Sequence, residues 1–285
     1  MPINIERLGD GSPTFVKGVI LGPHGIGKTS LIRKLDEDRT LLVDAEAGKL
    51  ALVGRNENGV QLPAWKGLRI DVFAEAQRLR LSVWDVCRGL AVWLGGPSPF
   101  TSRDEEAYSQ YHYDAMVSLF GDPAPVLEHV DTVFVDSISV ASRACLQWAK
   151  GQPRAQDRKG AVDTRGMYGL IKDESLAWMT QLQHMKKNVW LVGGLDPFED
   201  DESGRKGWKA QIEGSGTANA LPGIVDEIIS YVQVNDGTNP PYRGFVTQTL
   251  NPWGYPAKDR SGALDAIEEP DLAKLMQKLA RAGVA

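Results

Sequence analysis

Residues 22–29 are the strongest candidate for chemistry in this chain. They read Gly-Pro-His-Gly-Ile-Gly-Lys-Thr and fit the pattern G-x-x-x-x-G-K-[ST]. In this pattern the glycines let successive backbone N–H groups turn toward phosphate oxygens, the lysine reaches the β- and γ-phosphates, and the threonine hydroxyl binds Mg²⁺. The segment predicts a site for ATP or GTP with Mg²⁺. The residues expected to contact the phosphates are Gly22, Pro23, His24, Gly25, Ile26, Gly27, Lys28, Thr29 and Ser30.

The residues on either side of this phosphate loop predict a strand before it and a helix after it. Residues 14–21 are apolar and β-branched, as expected for a buried strand of a parallel sheet. Residues 29–35 have helix-compatible spacing, and a helix N-terminus offers free N–H groups and partial positive charge to an anion. A glycine-rich turn without a ligand would not need these flanking elements.

A second strand that ends in a carboxylate is predicted at residues 130–137, where Val-Asp-Thr-Val-Phe-Val leads into Asp136 and Ser137. In phosphate-binding folds the carboxylate at the end of such a strand holds Mg²⁺ through water. Many buried strands end in aspartate, so the run alone is weak evidence. Its position after a phosphate loop makes Asp136, together with Thr29, the expected metal-associated pair.

Hydrolysis of a nucleoside triphosphate also requires a group that orients water and positive charge opposite the γ-phosphate. Glu46 lies just beyond a predicted strand at residues 41–44, at the sheet edge where ligands bind in open α/β folds. Lys258 and Arg260 are two residues apart, so in an extended segment their side chains point the same way. Taken alone, Glu46 also fits a solvated carboxylate and the two cations fit surface charge. Asp44 fits either a site residue or the end of a strand.

The rest of the chain alternates between strand and helix patterns. Amphipathic helices are expected at residues 75–94 and 104–120, each followed by a segment rich in Gly and Pro, and they would form a helical insertion at 75–120. Other predicted elements are strands at 188–194, 227–234 and 244–250, a helix through Trp178, Leu182 and Met185, and a C-terminal helix at 271–279 that ends near Gly283. This order predicts an α/β fold with a mainly parallel sheet covered by helices on both faces.

Composition is that of a soluble globular protein. The 285 residues are 42% hydrophobic and 24% charged, with a net charge of −5. That balance argues against a largely basic surface, so contact with nucleic acid would need a local patch. Cys87 and Cys145 lack metal or redox spacing and are expected to be reduced and packed. We expect a single domain over 1–285 without membrane association, in the cytoplasm.

Taken together, these segments resemble the RecA-type ATPase core. The shared features are the phosphate loop, Val-Asp-Ala-Glu at residues 43–46, the strand ending at Asp136 and Ser137, and Lys-Asp-Arg-Ser-Gly at 258–262. The resemblance implies a RecA-like P-loop NTPase core. It further implies that Glu46 activates water and that Lys258 and Arg260 reach the ATP site of a neighbouring subunit, so self-association through the ATP site is expected.

The chain is more similar still to small RecA-like ATP-binding proteins of phages and prophages, some related to single-strand annealing recombinases. The segments that carry this likeness are residues 135–139, 165–169, 221–226 and 251–260. It implies a phage or prophage protein in a bacterial host. One departure concerns the γ-phosphate sensor, because RecA-type cores place Gln, Ser or His after the fourth core strand and this chain offers only Asp196 there.

The same resemblance places single-stranded DNA on two loops, at residues 150–165 and 197–216. The first is locally basic and rich in loop formers, and its candidate contacts are Arg154, Arg158 and Lys159. The second begins with an acidic run at 199–202 and continues to Arg205, Lys206 and Trp208, an aromatic side chain between cations. Solvated charged loops and a packed hairpin tryptophan are the alternatives.

The function predicted first is a DNA-dependent ATPase of RecA type in phage recombination, annealing or replication, with ATP and Mg²⁺ as cofactors. The alternative is a nucleotide-switched assembly or regulatory protein with little turnover and no direct DNA role. A small-molecule kinase is disfavoured because the sequence has no arginine-rich lid.

Overall fold

The computed structural model describes residues 15–46, 48–54, 59–101, 103–104, 106–199, 204, 206–235, 237 and 240–282. These residues build one sheet of ten strands. The strands are β1 (Lys17–Gly22), β2 (Thr40–Asp44), β3 (Leu68–Asp71), β4 (Thr132–Asp136), β5 (Asn188–Glu199), β6 (Lys206–Ala210), β7 (Glu227–Val234), β8 (Tyr242–Val246), β9 (Lys258–Asp259) and β10 (Ile267–Glu268).

The central strands of the sheet are parallel, and the remaining strands pair antiparallel with their neighbours. The strand order is β10-β8-β7-β1-β5-β4-β2-β3, and β1 is paired in parallel with both β5 and β7. β2, β3 and β4 continue the parallel part. β8 and β9 pair antiparallel with β7, β10 with β8, and β6 with β5. The carboxyl ends of β1, β2, β4 and β5 therefore meet at one edge.

Helices cover both faces of this sheet. They are α1 (Lys49–Leu52), α2 (Val72–Leu79), α3 (Val83–Gly95), α4 (Gln110–Phe120), α5 (Ala124–His129), α6 (Ile138–Lys150), α7 (Thr164–Gln183), α8 (Ser215–Ile224) and α9 (Leu272–Ala282), with 3-10 helices at Thr29–Lys34 and Pro153–Ala155. Alternate strand residues face opposite sides. Val19 packs among α3, α6 and α7, whereas Ile20 packs with the first 3-10 helix and α9. The predicted α/β fold, with a mainly parallel sheet covered by helices on both faces, is confirmed.

Several element boundaries differ from the sequence predictions. The prediction of a single helix over 75–94 is wrong. α2 ends at Leu79, and Arg80 after it adopts a left-handed conformation with φ of 57°. The Ser82 side chain then caps α3 by accepting the N–H of Asp85. The helix expected from 104 begins at Gln110, because Ser109 caps it. The segment after the phosphate loop is a 3-10 helix. The predicted end of the last helix at Gly283 lies outside the described residues.

The described residues of the segment 197–216, predicted as a loop, lie mostly in strands and a helix. β5 continues to Glu199 and pairs with β6 as an antiparallel hairpin, and α8 begins at Ser215. Pro197 lies opposite Trp208 in this hairpin. The alternation of the paired strands therefore fixes the direction of Trp208, which a free loop would not. Within the described ranges, every helix is too short or too polar to cross a bilayer.

Candidate functional site

The phosphate loop connects the buried end of β1 to the first 3-10 helix and is closed by its own lysine. Gly27 has a φ of 107°, which favours glycine, and a Cβ on Gly22 would stand 2.4 Å from the carbonyl oxygen of Tyr231. The Lys28 ammonium donates hydrogen bonds to the carbonyl oxygens of Gly22 at 2.8 Å and Pro23 at 2.9 Å. Burial lowers the pKa of Lys28, while Glu46 and Asp136 oppose that shift. The ammonium therefore already lies inside the loop that phosphates would enter.

Thr29 and Asp136 meet beside the loop, as the sequence predicts for a magnesium site. The Thr29 hydroxyl donates a hydrogen bond to Oδ2 of Asp136. Oδ1 of this buried carboxylate has no hydrogen-bond partner among the described residues. The pKa of Asp136 is raised to about 6, mainly by burial and in part by the charges of Glu46 and Asp44, while the hydrogen bond from Thr29 opposes the shift. A nearby cation would satisfy the orphaned oxygen and relieve the buried charge.

These residues fit Mg²⁺ bound together with a nucleotide. The described residues include no group of three or more His, Cys, Asp or Glu side chains suited to holding a metal ion. Mg²⁺ in phosphate-transfer sites needs no such cage, because one or two protein oxygens, water and the phosphates complete its octahedron. Thr29 would supply the direct ligand, and Asp136 would hold a coordinated water.

Glu46 lies at the same edge, one residue past the buried Ala45 that follows β2. Parallel register pairs Asp44 with Asp136, and the Ala45 N–H donates to the Asp136 carbonyl at 2.6 Å. The Glu46 N–H donates to Oδ1 of Asp44 at 3.0 Å. The Ser137 hydroxyl donates a hydrogen bond to the Glu46 carboxylate. Glu46 is exposed. Its backbone is held by Asp44 and its carboxylate by Ser137.

Arg69 explains how Asp44 tolerates its burial. Two guanidinium nitrogens of Arg69, Nε at 2.8 Å and Nη2 at 2.5 Å, donate to Oδ2 of Asp44, and Nη2 also donates to Asp71 at 2.9 Å. Burial lowers the pKa of Arg69, but the hydrogen bonds to both carboxylates raise it overall. The sequence contains one signal for Arg69, which is a cation within the short strand-like residues 68–71. A cation on a covered strand requires an acidic partner.

Gln211 is a further residue at this edge that sequence reasoning missed. Its N–H donates to the Gly194 carbonyl at 3.0 Å, and its Oε1 lies 2.3 Å from the position a Cβ on Gly194 would take. Gly194 is paired with Gly22 of β1, and β5 lies between β1 and β4. Gln211 also donates to Asp196 at 3.0 Å. The polar side chain beside Gly194 of β5 is thus Gln211, the residue that directly follows β6.

Lys258 and Arg260 lie far from the phosphate loop of their own chain. Lys258 is paired with Ile228 near the beginning of β7, which runs parallel to β1, so the two cations lie toward the amino ends of these strands. The Lys258 ammonium donates to the carbonyls of Pro222 at 2.7 Å and Val225 at 2.8 Å, and Arg260 pairs with Asp226 at 2.6 Å. Their action on a neighbouring subunit stays a prediction.

The predicted DNA contacts are divided between two elements. Arg154 lies in the second 3-10 helix and pairs with Asp173 at 2.6 Å. Arg158 and Lys159 are exposed in the following turn, where Asp157 accepts the Lys159 N–H. On β6, Lys206 lies 3.8 Å from Glu199, and the Trp208 ring stacks on Tyr255 with centroids 5.5 Å apart. Arg205 lies outside the described residues. Binding of DNA by this set stays a prediction.

The fold and site define the class of protein. A glycine-rich loop that closes on its lysine, with a threonine hydroxyl against a strand-end carboxylate, is the arrangement of P-loop nucleotide-binding ATPases. Residues 14–261 match the family model described as an AAA domain (AAA_24). The chain belongs to this family.

Solved structures of low similarity also match. One is a crystal structure of the RadB recombinase, with 13% identity over 84% of this chain and 86% of that chain and a TM-score of 0.33. Another is a KaiC-like protein from the hyperthermophilic archaeon Pyrococcus horikoshii OT3, with 12% identity over 86% of this chain and 88% of that chain and a TM-score of 0.33. At these values neither likeness bears on activity. Among curated proteins, none matches the chain significantly.

Proposed function

We propose that this chain binds and hydrolyses ATP as a RecA-like protein of phage type that acts on single-stranded DNA in recombination, annealing or replication. The supporting observation is the convergence of Lys28, Thr29, Glu46 and Asp136 at the carboxyl edge of the parallel strands. Three segments far apart in sequence supply these side chains. Their charges and hydrogen-bonding groups are those that phosphoryl transfer to water requires.

Each residue has a distinct role in this proposal. Lys28 exchanges its two carbonyl contacts for phosphate oxygens and stabilises their charge. Thr29 and Asp136 would hold Mg²⁺, which would supply positive charge beside the phosphates. Glu46 orients the attacking water and accepts its proton, while Ser137 fixes the carboxylate. Gln211 takes the position of the γ-phosphate sensor beside Gly194.

Hydrolysis is tested by measuring phosphate release from ATP with and without a single-stranded oligonucleotide. Lys28→Ala should abolish release. Lys34→Ala is a matched control, because Lys34 is the last residue of the 3-10 helix that Lys28 precedes and its side chain is 57% exposed. A wild-type chain without ATPase activity would contradict the enzymatic proposal. A rate that does not respond to DNA would contradict only the proposed DNA dependence.

The proposed trans action of Lys258 and Arg260 needs a separate test. A Lys28→Ala chain keeps both cations but lacks a working loop, whereas a Lys258→Ala/Arg260→Ala chain keeps the loop and lacks the cations. If neighbouring subunits share sites, mixing the two inactive chains should restore part of the ATPase activity. No recovery from mixtures that form mixed assemblies would contradict the trans role and leave the loop's own role intact.

DNA contact through Arg154, Arg158, Lys159, Arg205, Lys206 and Trp208 is tested by oligonucleotide binding. Replacing Arg158 and Lys159 with alanine should weaken binding to every DNA sequence. It should also reduce the salt dependence of binding, because a protein that contacts fewer phosphates releases fewer counterions when it binds. Replacing Trp208 with alanine should weaken binding without changing that salt dependence. Unchanged affinity in both variants would contradict the proposed interface.

A nucleotide-switched assembly protein with little turnover is the second candidate. The observation that favours it is the hydrogen bond that the Gln211 carboxamide donates to Asp196 of β5. This bond holds the proposed γ-phosphate sensor against the hairpin. Gel filtration with ADP and with a non-hydrolysable ATP analogue distinguishes this candidate. It predicts a change in size or compactness between the two nucleotides with negligible phosphate release, and identical elution would contradict it.

A further inference from the structure

Three aspartates end three neighbouring parallel strands at the edge of the sheet that carries the phosphate loop. The register pairs Asp44 of β2 with Asp136 of β4 on one side and with Asp71 of β3 on the other. Neighbouring strands are about 4.8 Å apart, so these carboxylates repel one another unless positive charge lies between them. Asp136 is bonded by Thr29, whereas Asp44 and Asp71 share the guanidinium of Arg69.

Arg69 holds one oxygen of the Asp44 carboxylate and leaves the other to the backbone of Glu46. Nε and Nη2 of Arg69 both donate to Oδ2 of Asp44, and Oδ1 accepts the Glu46 N–H at 3.0 Å. An aspartate that accepts the N–H two residues further on restrains the backbone between them. The planar guanidinium with its two donors in turn restrains the rotation of that carboxylate. Arg69 therefore acts on the Glu46 backbone through Asp44.

The chain beyond Glu46 contacts the same arginine through Asp71. Nη2 of Arg69 donates to Asp71 at 2.9 Å, and the ammonium of Lys49 at the start of α1 lies 3.9 Å from Asp71. The Lys49 side chain is 67% exposed, so this ion pair contributes little by itself. The side chains of Arg69 and Asp44 are only 19% and 4% exposed. The enclosed pair is therefore the contact that restrains residues 44–46.

We propose that Arg69 and Asp44 are positioning residues for ATP hydrolysis, because together they hold the backbone that carries the Glu46 carboxylate to the Ser137 hydroxyl and the attacking water. Neither residue touches the phosphates in this proposal. The inference rests on the proposed ATPase function and adds to it an arginine that the phosphate-loop pattern does not contain. It also gives Asp44, which by sequence fits either a site residue or the end of a strand, a part in the site.

The test separates turnover from ATP binding in the full chain. Arg69→Lys keeps the positive charge but loses the paired donors, and kcat should fall about tenfold, within the range that a small displacement of a catalytic group produces. Arg69→Met also removes the charge and should lower kcat by up to about 100-fold. The KM and the equilibrium dissociation constant for ATP should stay unchanged in both variants. Asp44→Asn keeps the size of the side chain, should lower kcat as Arg69→Lys does, and tests the same contact if the arginine variants fail to fold.

Arg88 offers a matched control. Like Arg69 it pairs with two carboxylates, Asp85 at 2.8 Å and Glu174 at 3.1 Å, and its side chain is 18% exposed. These partners lie on α3 and α7, outside the strand ends that carry the site. Arg88→Lys should lower the free energy of unfolding about as much as Arg69→Lys and leave kcat unchanged. The double variant Arg69→Lys/Asp44→Asn should be no slower than Asp44→Asn alone, because Arg69 acts through Asp44.

The outcomes distinguish this inference from the proposed function. Wild-type kcat in folded Arg69→Lys and Asp44→Asn would overturn the positioning role and leave the proposed ATPase function intact. An equal fall in kcat for Arg88→Lys, a loss confined to ATP affinity, or losses that add fully in the double variant would overturn it as well. A wild-type chain without ATPase activity would overturn the proposed function, and the positioning role with it.

Discussion

Removing the Ser137 hydroxyl is expected to slow ATP hydrolysis without weakening ATP binding. This hydroxyl donates to the Glu46 carboxylate and also accepts the Val140 N–H at 3.3 Å, where it caps α6. Ser137→Ala therefore removes two interactions of different consequence. One orients the proposed general base, and the other stabilises the first turn of α6.

The size of each loss follows from the kind of hydrogen bond involved. A hydrogen bond to a charged group contributes about 1.5–3 kcal/mol. If that contribution is fully present in the transition state, kcat should fall roughly 10- to 150-fold. Loss of the helix cap should lower the free energy of unfolding by about 1 kcal/mol.

The measurements are steady-state ATPase rates, equilibrium ATP binding and urea unfolding. Ser109→Ala is the matched control, because Ser109 is a similarly buried serine that caps α4 by accepting the His112 N–H at 3.1 Å. Both variants should lose comparable stability, and only Ser137→Ala should lose turnover. In a Glu46→Gln background, Ser137→Ala should add little further loss of rate, since the two groups act as one unit.

Two results would refute this reasoning. Wild-type turnover in Ser137→Ala would show that the hydrogen bond does not orient the catalytic group. An equal decrease in kcat for Ser109→Ala would show that turnover follows general stability, with no special role for Glu46 and Ser137.

Three further predictions concern Gln211, Glu227 and Arg69. Gln211→Ala should lower kcat roughly tenfold, as expected for losing one hydrogen bond to a charged transition state, with ATP binding unchanged; a wild-type rate would contradict its proposed sensor position. Burial, with Asp259 adding to it, raises the pKa of Glu227 to about 7 from 4.5, so its ionisation opposes folding. Relative to Glu227→Gln, the wild type should lose stability as pH rises from 4.5 through about 7, and parallel stability–pH curves in urea titrations would contradict this. Arg69→Met leaves the Asp44 carboxylate, which is 3% exposed, without its guanidinium partner and should cost about 3 kcal/mol in urea unfolding, whereas Arg69→Met/Asp44→Asn should cost less.

Local sequence patterns predicted much of the fold and part of the site. A short apolar β-branched run indicates a buried strand wherever it occurs, and β2, β4 and β7 lie within a residue or two of the predicted positions. The helix break at Arg80 was missed because a left-handed residue followed by a serine cap interrupts an apolar periodicity that continues across it. A hairpin at Trp208 was only one of the alternatives, because the pairing of β5 with β6 depends on the register of residues 195–199 against 206–210.

The sequence by itself determined the phosphate loop, because the loop's conformation depends on glycines and a lysine within eight consecutive residues. It also singled out Asp136 and Glu46 as candidates, Asp136 because it ends a recognisable strand and Glu46 because residues 43–46 resemble the RecA-type core; their roles stay predictions. Only the tertiary structure decided which groups hold those residues, since Ser137, Arg69 and Gln211 reach the site through strand order and register. It likewise brought Tyr255 beside the loop, because contacts between segments more than two hundred residues apart leave no local pattern.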